Sequence, residues 1–298
     1  MKKILFLSFL ISCCLQGKSQ TSNNKKYDIQ KNEKSLLWEV SGKSLKKPSF
    51  LYGTFHLMCK NDLFFSENLK TALYQSDVLM LELDMDDPKI AMGGLMSLAM
   101  KENKKLRDLL SEAEYNKVSD YFRDSLQTPL FFLESVQPML LQSLLYSKLI
   151  PCSQMTSPEQ ELMKLIKSKR KPVEGLETLE FQASVFEKIP YQVQAKMLLK
   201  SIDSIEFQRS SFLEMLETYK SQDLDKLNSI ASNETEMKSF EDALLNDRNK
   251  NWVQKMAVSM PEKSFFFAVG AGHLPGESGI IALLRNQGFT VRPIVNLN

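Results

Sequence analysis

Four candidate strands in this chain each stop at a side chain that can gain or lose a proton. Phe50-Leu51-Tyr52 leads through Gly53 to His56, in FLYGTFH. Val78 to Leu81 leads to Glu82 and Asp84, in VLMLELD. A short strand candidate, PVEGLE, ends at Glu177. Phe265 to Val269 leads through Gly270 to His273, in FFFAVGAGH. A short, nearly unbroken apolar run is how a strand buried on both faces of a parallel sheet reads. In open α/β sheets, ligands bind outside the carboxyl ends of the strands. Parallel neighbours would therefore bring His56, Glu82, Glu177 and His273 into one cleft. Strand order itself is not readable along the chain.

The chain has 298 residues and 2 histidines, and both histidines close a Gly-x-x-His. A glycine at a strand end is expected to permit a sharp turn and a close backbone approach. Two neutral imidazoles plus a carboxylate make a donor set for Zn2+, Mn2+, Co2+ or Fe2+, with positions left for water. Such a metal lowers the pKa of its bound water and polarises a carbonyl. A second carboxylate can then act as general base, and an arginine can hold an anionic intermediate. Arg248, in LLNDRNKNW, is the arginine expected there. Plainer roles stand beside these. Glu82 and Asp84 suit ion pairing or capping, and Glu177 suits the start of a helix near Thr178.

Strand–helix units lie at both ends of the chain, with a large helical block between them. Strands are expected at Leu36 to Ser41, Ser49 to Gly53, Val78 to Asp84, Lys171 to Glu177, Ser264 to Gly270 and Thr290 to Val295. Helices are expected at Ser66 to Gln75, Ser111 to Asp124, Leu130 to Leu149, from Ser157 onward, across much of Thr178 to Ser259, and at Glu277 to Asn286. Ser66 and Ser111 read as N-caps, the latter in a Ser-Glu-Ala-Glu capping box. The Met-rich stretch DPKIAMGGLMSLAM reads as core or lid packing within this helical block. The expected fold is α/β. Its central mixed or parallel sheet is built from N- and C-terminal segments, with a helical cap over about residues 88–260.

The first residues read as an export signal. Lys2-Lys3 is followed by an apolar run to Leu15, too short to span a bilayer. Cleavage before Gln20 removes residues 1–19. An alternative cut at a lipobox-like Leu-Ile-Ser-Cys makes Cys13 a lipid-anchored N-terminus. Either cut places the protein in the periplasm, at the outer membrane or in the medium. Residues 20–35 read as a flexible tether, and 36–298 as a single domain. No transmembrane helix is expected in the mature chain. Loss of Lys2, Lys3 and Lys18 lowers Lys+Arg from 38 to 35 against 36 Asp+Glu. A chain that close to neutral has no bulk charge for nucleic acid. Cys59 and Cys152 remain, as a disulfide or as buried thiols.

The segments LLWEVSG, FLYGTFHL, VLMLELDMDDP, KPVEGLETLEFQ, LLNDRNKNW and FFFAVGAGHLPGESGIIALLRNQGFTV together resemble the TraB/GumN family. That family is related to the TIKI metalloproteases and more distantly to erythromycin-esterase-like and ChaN-like proteins. The resemblance implies an α/β core with His56, Glu82 and His273 in the active site and Arg248 in support. It implies metal-dependent peptide hydrolysis with Mn2+ or Co2+, and a peptide or protein substrate. Two other readings remain open. One is a metal-free, esterase-like hydrolase in which His56 and Glu82 activate water. The other is a module that binds haem, metal or peptide without turnover.

Overall fold

The computed structural model describes residues 33–88, 98–232 and 238–297. The expected export signal, most of the expected tether and residues 89–97 of the Met-rich stretch lie outside these residues. Ser35, at the end of the expected tether, is already packed into the fold. It is buried, and its hydroxyl donates to the Ile294 carbonyl at 2.7 Å and accepts from the Leu37 N–H at 3.0 Å.

The central sheet contains β1 (Leu37–Ser41), β2 (Ser49–Thr54), β4 (Val78–Leu83), β6 (Val173–Glu177), β7 (Phe265–Gly270) and β8 (Thr290–Pro293). Their order across the sheet is β6-β4-β7-β2-β1-β8. β6, β4, β7 and β2 are mutually parallel, whereas β1 runs antiparallel to both β2 and β8. The sheet is therefore mixed, with four contiguous parallel strands. Val78 to Leu81 and Phe265 to Val269 are buried, as their unbroken apolar character requires. Each large apolar side chain so buried contributes roughly 1.5–3 kcal/mol. A second, two-stranded ribbon pairs β3 (Met58–Cys59) with β5 (Met155–Thr156).

The helices are α1 (Glu67–Gln75), α2 (Glu112–Asp124), α3 (Pro138–Leu149), α4 (Pro158–Ser168) and α5 (Leu179–Phe186). They continue with α6 (Tyr191–Asp203), α7 (Ile205–Lys220), α8 (Leu224–Ser232), α9 (Asp247–Ser259) and α10 (Ile280–Asn286). Ser66 and Ser111 cap α1 and α2 through their hydroxyls, and the capping box of α2 is complete. The expected helix from Leu130 to Leu149 is divided. A 3-10 turn covers Leu130–Leu133, and α3 begins only at Pro138. Proline lacks an N–H and has a fixed φ, so it suits the first helical position but not an interior one. The last helix is also shorter than expected. Pro275 and the positive φ of Gly276 keep the preceding residues in turns.

The stretch at 88–260 is not one continuous cap. Met100, Phe122, Leu141, Leu145, Ala195 and Leu198 belong to a separate core among α2, α3 and α6. In contrast, Leu162 and Ile166 of α4 and Trp252, Val253 and Met256 of α9 join the core around the sheet. The helical insertion therefore returns to the sheet repeatedly, because Phe212, Leu216 and Tyr219 of α7 and Leu224 and Leu227 of α8 lie in the same core. Among these helices, α4 and α9 bring charged side chains to the carboxyl ends of the strands, Glu159 from the first and Arg248 from the second.

Candidate active site at the carboxyl edge of the sheet

Across the four parallel strands, the edge presents Glu177, Glu82, His273 and His56 in that order. The two Gly-x-x-His turns leave neighbouring strands, with Gly53 opposite Val269 and Thr54 opposite Gly270. Their glycines act differently from the expected sharp turn. Gly270 has φ −51°, open to any residue, so its bare Cα serves space rather than conformation. A Cβ on Gly270 would stand 3.3 Å from Nε2 of His56, 3.3 Å from Oε1 of Glu82 and 3.6 Å from Cδ2 of His273. The three side chains thus border one gap. A Cβ on Gly53 would press on the backbone and side chain of Ala271 at 3.2 Å, so that glycine lets the two turns pack together.

His56 is held from several directions. Phe55 packs on Phe212 and Tyr219 of α7, with ring centroids 5.4 and 5.2 Å away. Tyr219 also donates to the Gly53 carbonyl at 3.0 Å. Nδ1 of His56 lies 2.8 Å from Oε1 of Glu159, leaving Nε2 on the Glu82 side. Crowding opposes protonation of His56, but the Glu159 hydrogen bond and the charge of Glu82 outweigh it and push the group up to about 9. The side chain is 68% exposed, so solvent screens part of that interaction.

His273 is the buried counterpart. The Asn249 amide donates to the Ser278 carbonyl at 2.9 Å, which turns its Oδ1 toward His273 Nδ1 at 2.6 Å. His273 Nδ1 therefore carries the proton. Trp252 lies against the imidazole, with ring centroids 4.5 Å apart. Burial disfavours the imidazolium, and nearby Arg248 adds to this, so His273 is lowered to about 3.

Glu82 joins the two sides. Its Oε1 accepts from the Gly270 N–H at 2.8 Å, and its Oε2 accepts from Arg248 at 2.8 Å. Burial raises its pKa, but both imidazoles, Arg248 and the Gly270 N–H outweigh that and hold the carboxyl at about 2. Glu177 is occupied at both oxygens. Arg248 donates to them at 2.7 and 3.1 Å, and the Trp252 indole donates at 2.9 Å. Arg248 is buried, lies 4.5 Å over the Trp252 ring and reaches His273 Nε2 at 3.3 Å. All five residues expected at the site are brought together.

Sequence reasoning did not identify Glu159, Asn249 or Trp252 as parts of the site. Trp252 sits four residues beyond Arg248 on α9, so helical spacing carried its signal, whereas Asn249, one residue on, has no such spacing. Glu159 is by position a first-turn acid of α4. Nothing local ties it to a histidine 103 residues away.

Imidazole and carboxylate are donor types that a divalent cation takes. Nε2 of His56 and Oε1 of Glu82 face the gap over Gly270, and the ring of His273 borders it. His273 Nε2 itself faces Arg248. Among the described residues, no group of three or more His, Cys, Asp or Glu side chains stands in a metal-holding cluster. Cys59 and Cys152 form a disulfide, with Cα atoms 5.9 Å apart. No described helix is long and apolar enough to cross a membrane.

Comparison with known proteins connects this arrangement to a family. The sequence profile of the TraB/PrgY/gumN family matches residues 36–293. "Metalloprotease TIKI1" of Xenopus tropicalis is 24% identical over 342 aligned residues, covering 96% of this chain and 66% of that protein. "Metalloprotease TIKI1" of Homo sapiens is 22% identical over 332, covering 93% and 65%. "Metalloprotease TIKI homolog" of Nematostella vectensis is 33% identical over 85 residues, 28% of this chain and 16% of that protein. The chain spans just under two thirds of the length of the first two relatives. No solved structure matches.

Proposed function

The chain belongs to the TraB/PrgY/gumN family, and from that premise we propose that it is an exported, metal-dependent hydrolase acting on peptides or proteins. One observation carries the reading. Both imidazoles are anchored through Nδ1, by Glu159 and Asn249, and both rings border the gap over Gly270 beside Glu82. Metal-ligating histidines are characteristically anchored this way, because the Nδ1 partner fixes the ring and its tautomer. The metalloprotease names of the relatives support the same chemistry.

In this reading His56, Glu82 and His273 would hold the metal, with Mn2+ or Co2+ ahead of Zn2+. The bound metal would supply an activated water and polarise the scissile carbonyl. Glu82, ionised at neutral pH, would serve either as the carboxylate ligand or, where it does not ligate, as the base for an attacking water. Arg248 would offset negative charge developing on the substrate oxygen. Glu177 and Trp252 hold the Arg248 guanidinium, so Glu177 acts by positioning it. Export is supported by the basic, then apolar, N-terminus and by the Cys59–Cys152 disulfide, which suits an oxidising compartment.

A second, metal-free reading draws on one observation. Arg248 already places a positive charge beside Glu82 and His273. In that case His56 and Glu82 would handle the water unaided. Metal analysis after Co2+ or Mn2+ loading, on wild type, His56→Ala and His273→Ala, decides between the two. Metal-dependent hydrolysis predicts retention by wild type, loss in both variants and chelator-sensitive cleavage of a peptide library. Equal, negligible metal in all three, with cleavage that survives chelator, would establish the metal-free reading instead.

A further inference from the structure

We propose that Glu159 is the positioning residue of His56, delivered to it by the disulfide-clipped ribbon of β3 and β5. The proposal rests on the reading of His56 as part of a metal-holding hydrolytic site.

An acid in the first turn of a helix is normally explained by the helix dipole, and water then solvates it. Glu159 does not fit that role alone. Its side chain is only 11% exposed, and its carboxylate turns to the strand end rather than to solvent. Oε1 meets His56 Nδ1 at 2.8 Å, while Oε2 is buried without a protein hydrogen-bond partner among the described residues. Burying a carboxylate is costly unless a charge or donor offsets it. The His56 imidazole contributes most of that offset here, with the nearby Thr54 hydroxyl and the Glu159 N–H also favouring the carboxylate.

The ribbon explains how two residues so distant in sequence meet. Met58 pairs with Thr156 and Cys59 with Met155, antiparallel, and the Lys60 N–H donates to the Gln154 carbonyl at 2.9 Å. In an antiparallel pair, the chain entering one strand lies beside the chain leaving the other. His56 enters β3 and Glu159 leaves β5, so both fall at the same end of the ribbon. The Cys59–Cys152 disulfide closes the opposite end. An exposed histidine would otherwise sample several rotamers, with an entropic cost on ligation. Accepting the Nδ1 proton fixes the ring with Nε2 toward Glu82.

The test is Co2+ affinity by calorimetry for wild type, Glu159→Gln and Glu159→Ala. Proton NMR of the two imidazoles is recorded alongside, without metal. Loss of an outer partner of a ligating histidine typically weakens metal binding about 10–100-fold. Glu159→Ala is expected to show that loss with its melting temperature close to wild type. Glu159→Gln keeps an oxygen acceptor and is expected to recover most of the affinity. A Cys59→Ser/Cys152→Ser variant should weaken binding in the same direction. Adding Glu159→Ala to it should then cost less than in wild type, because both changes act by one route. Wild-type affinity in Glu159→Ala, equal losses in both Glu159 variants, or full additivity with the cysteine pair would overturn the proposal.

If wild type itself binds no Co2+, the metal reading fails, and the metal-free spectrum tests the positioning alone. Nuclear Overhauser contacts from His56 to Gly270 should persist in Glu159→Gln and vanish in Glu159→Ala. Their survival in Glu159→Ala would also overturn the proposal.

Discussion

The two Gly-x-x-His turns share a sequence pattern and leave adjacent parallel strands, yet they hold their histidines in opposite ways. His56 is 68% exposed and bonded to a carboxylate, whereas His273 is 6% exposed and bonded to an amide beside an arginine. The first is pushed up to about 9 and the second down to about 3. The motif places each ring, but a partner from a distant helix sets its charge. Glu159 on α4 does this for His56, and Asn249 and Arg248 on α9 for His273. The repeat in sequence therefore supports a division of labour at one site rather than two copies of one function.

The largest expected break in this contrast is Arg248→Met. It leaves Glu82 and Glu177 buried without their cation, and breaking such a pair costs about 3–5 kcal/mol. Denaturant unfolding should show that loss, and the proton affinity of His273 should rise with it. The glycines separate packing from chemistry. Gly53→Ala presses on Ala271 and should cost about 1–3 kcal/mol by overpacking. Gly270→Ala meets movable side chains, so stability should hold while turnover falls, on the order of a hundredfold, through misplaced groups. The anchoring partners come next. Asn249→Ala leaves a buried imidazole N–H unpaired and should cost about 1–3 kcal/mol. Glu159→Ala, facing an exposed ring, should cost about 0–1 kcal/mol. Equal stability losses in those two variants would erase the distinction between the turns.

The smallest effect is on pH dependence. Between the ordinary imidazole value of 6.5 and about 9, the folded chain holds a proton on His56 that the unfolded chain releases. Stability therefore falls as pH rises through that window. Between about 3 and 6.5, the unfolded chain protonates His273 and the folded chain does not. There, stability rises with pH. These two groups together place their best combined contribution near pH 6.5, and a urea series across pH measures it. A flat profile from pH 4 to 9 in which His56→Ala and His273→Ala match wild type would remove the electrostatic contrast.

The strand ends were legible because burial on both faces demands unbroken apolar runs, and the side chains that end those runs are the ones that reach the edge. His56, Glu82 and His273 follow from that logic, whereas Glu177 ends a partly buried edge strand, VEGLE. Pro138 carried a readable signal too, since proline suits the start of a helix better than its middle. The purpose of Gly270 was not legible, because a glycine used for space looks the same in sequence as one used for its dihedral angles. The role of Glu159 was hidden for a different reason. It depends on a ribbon and a disulfide joining segments 93 residues apart, and no local periodicity records such a contact. The division of the helical block between two cores was likewise a matter of tertiary packing.

The most direct test of a single shared site is a Co2+ titration followed by proton NMR. The chain has only 2 histidines, and a His56→Ala variant assigns their ring signals. The account predicts that one equivalent of Co2+ shifts the rings of both His56 and His273 along a single saturation curve. Shifts confined to one ring, or two rings saturating at different Co2+ concentrations, would contradict it.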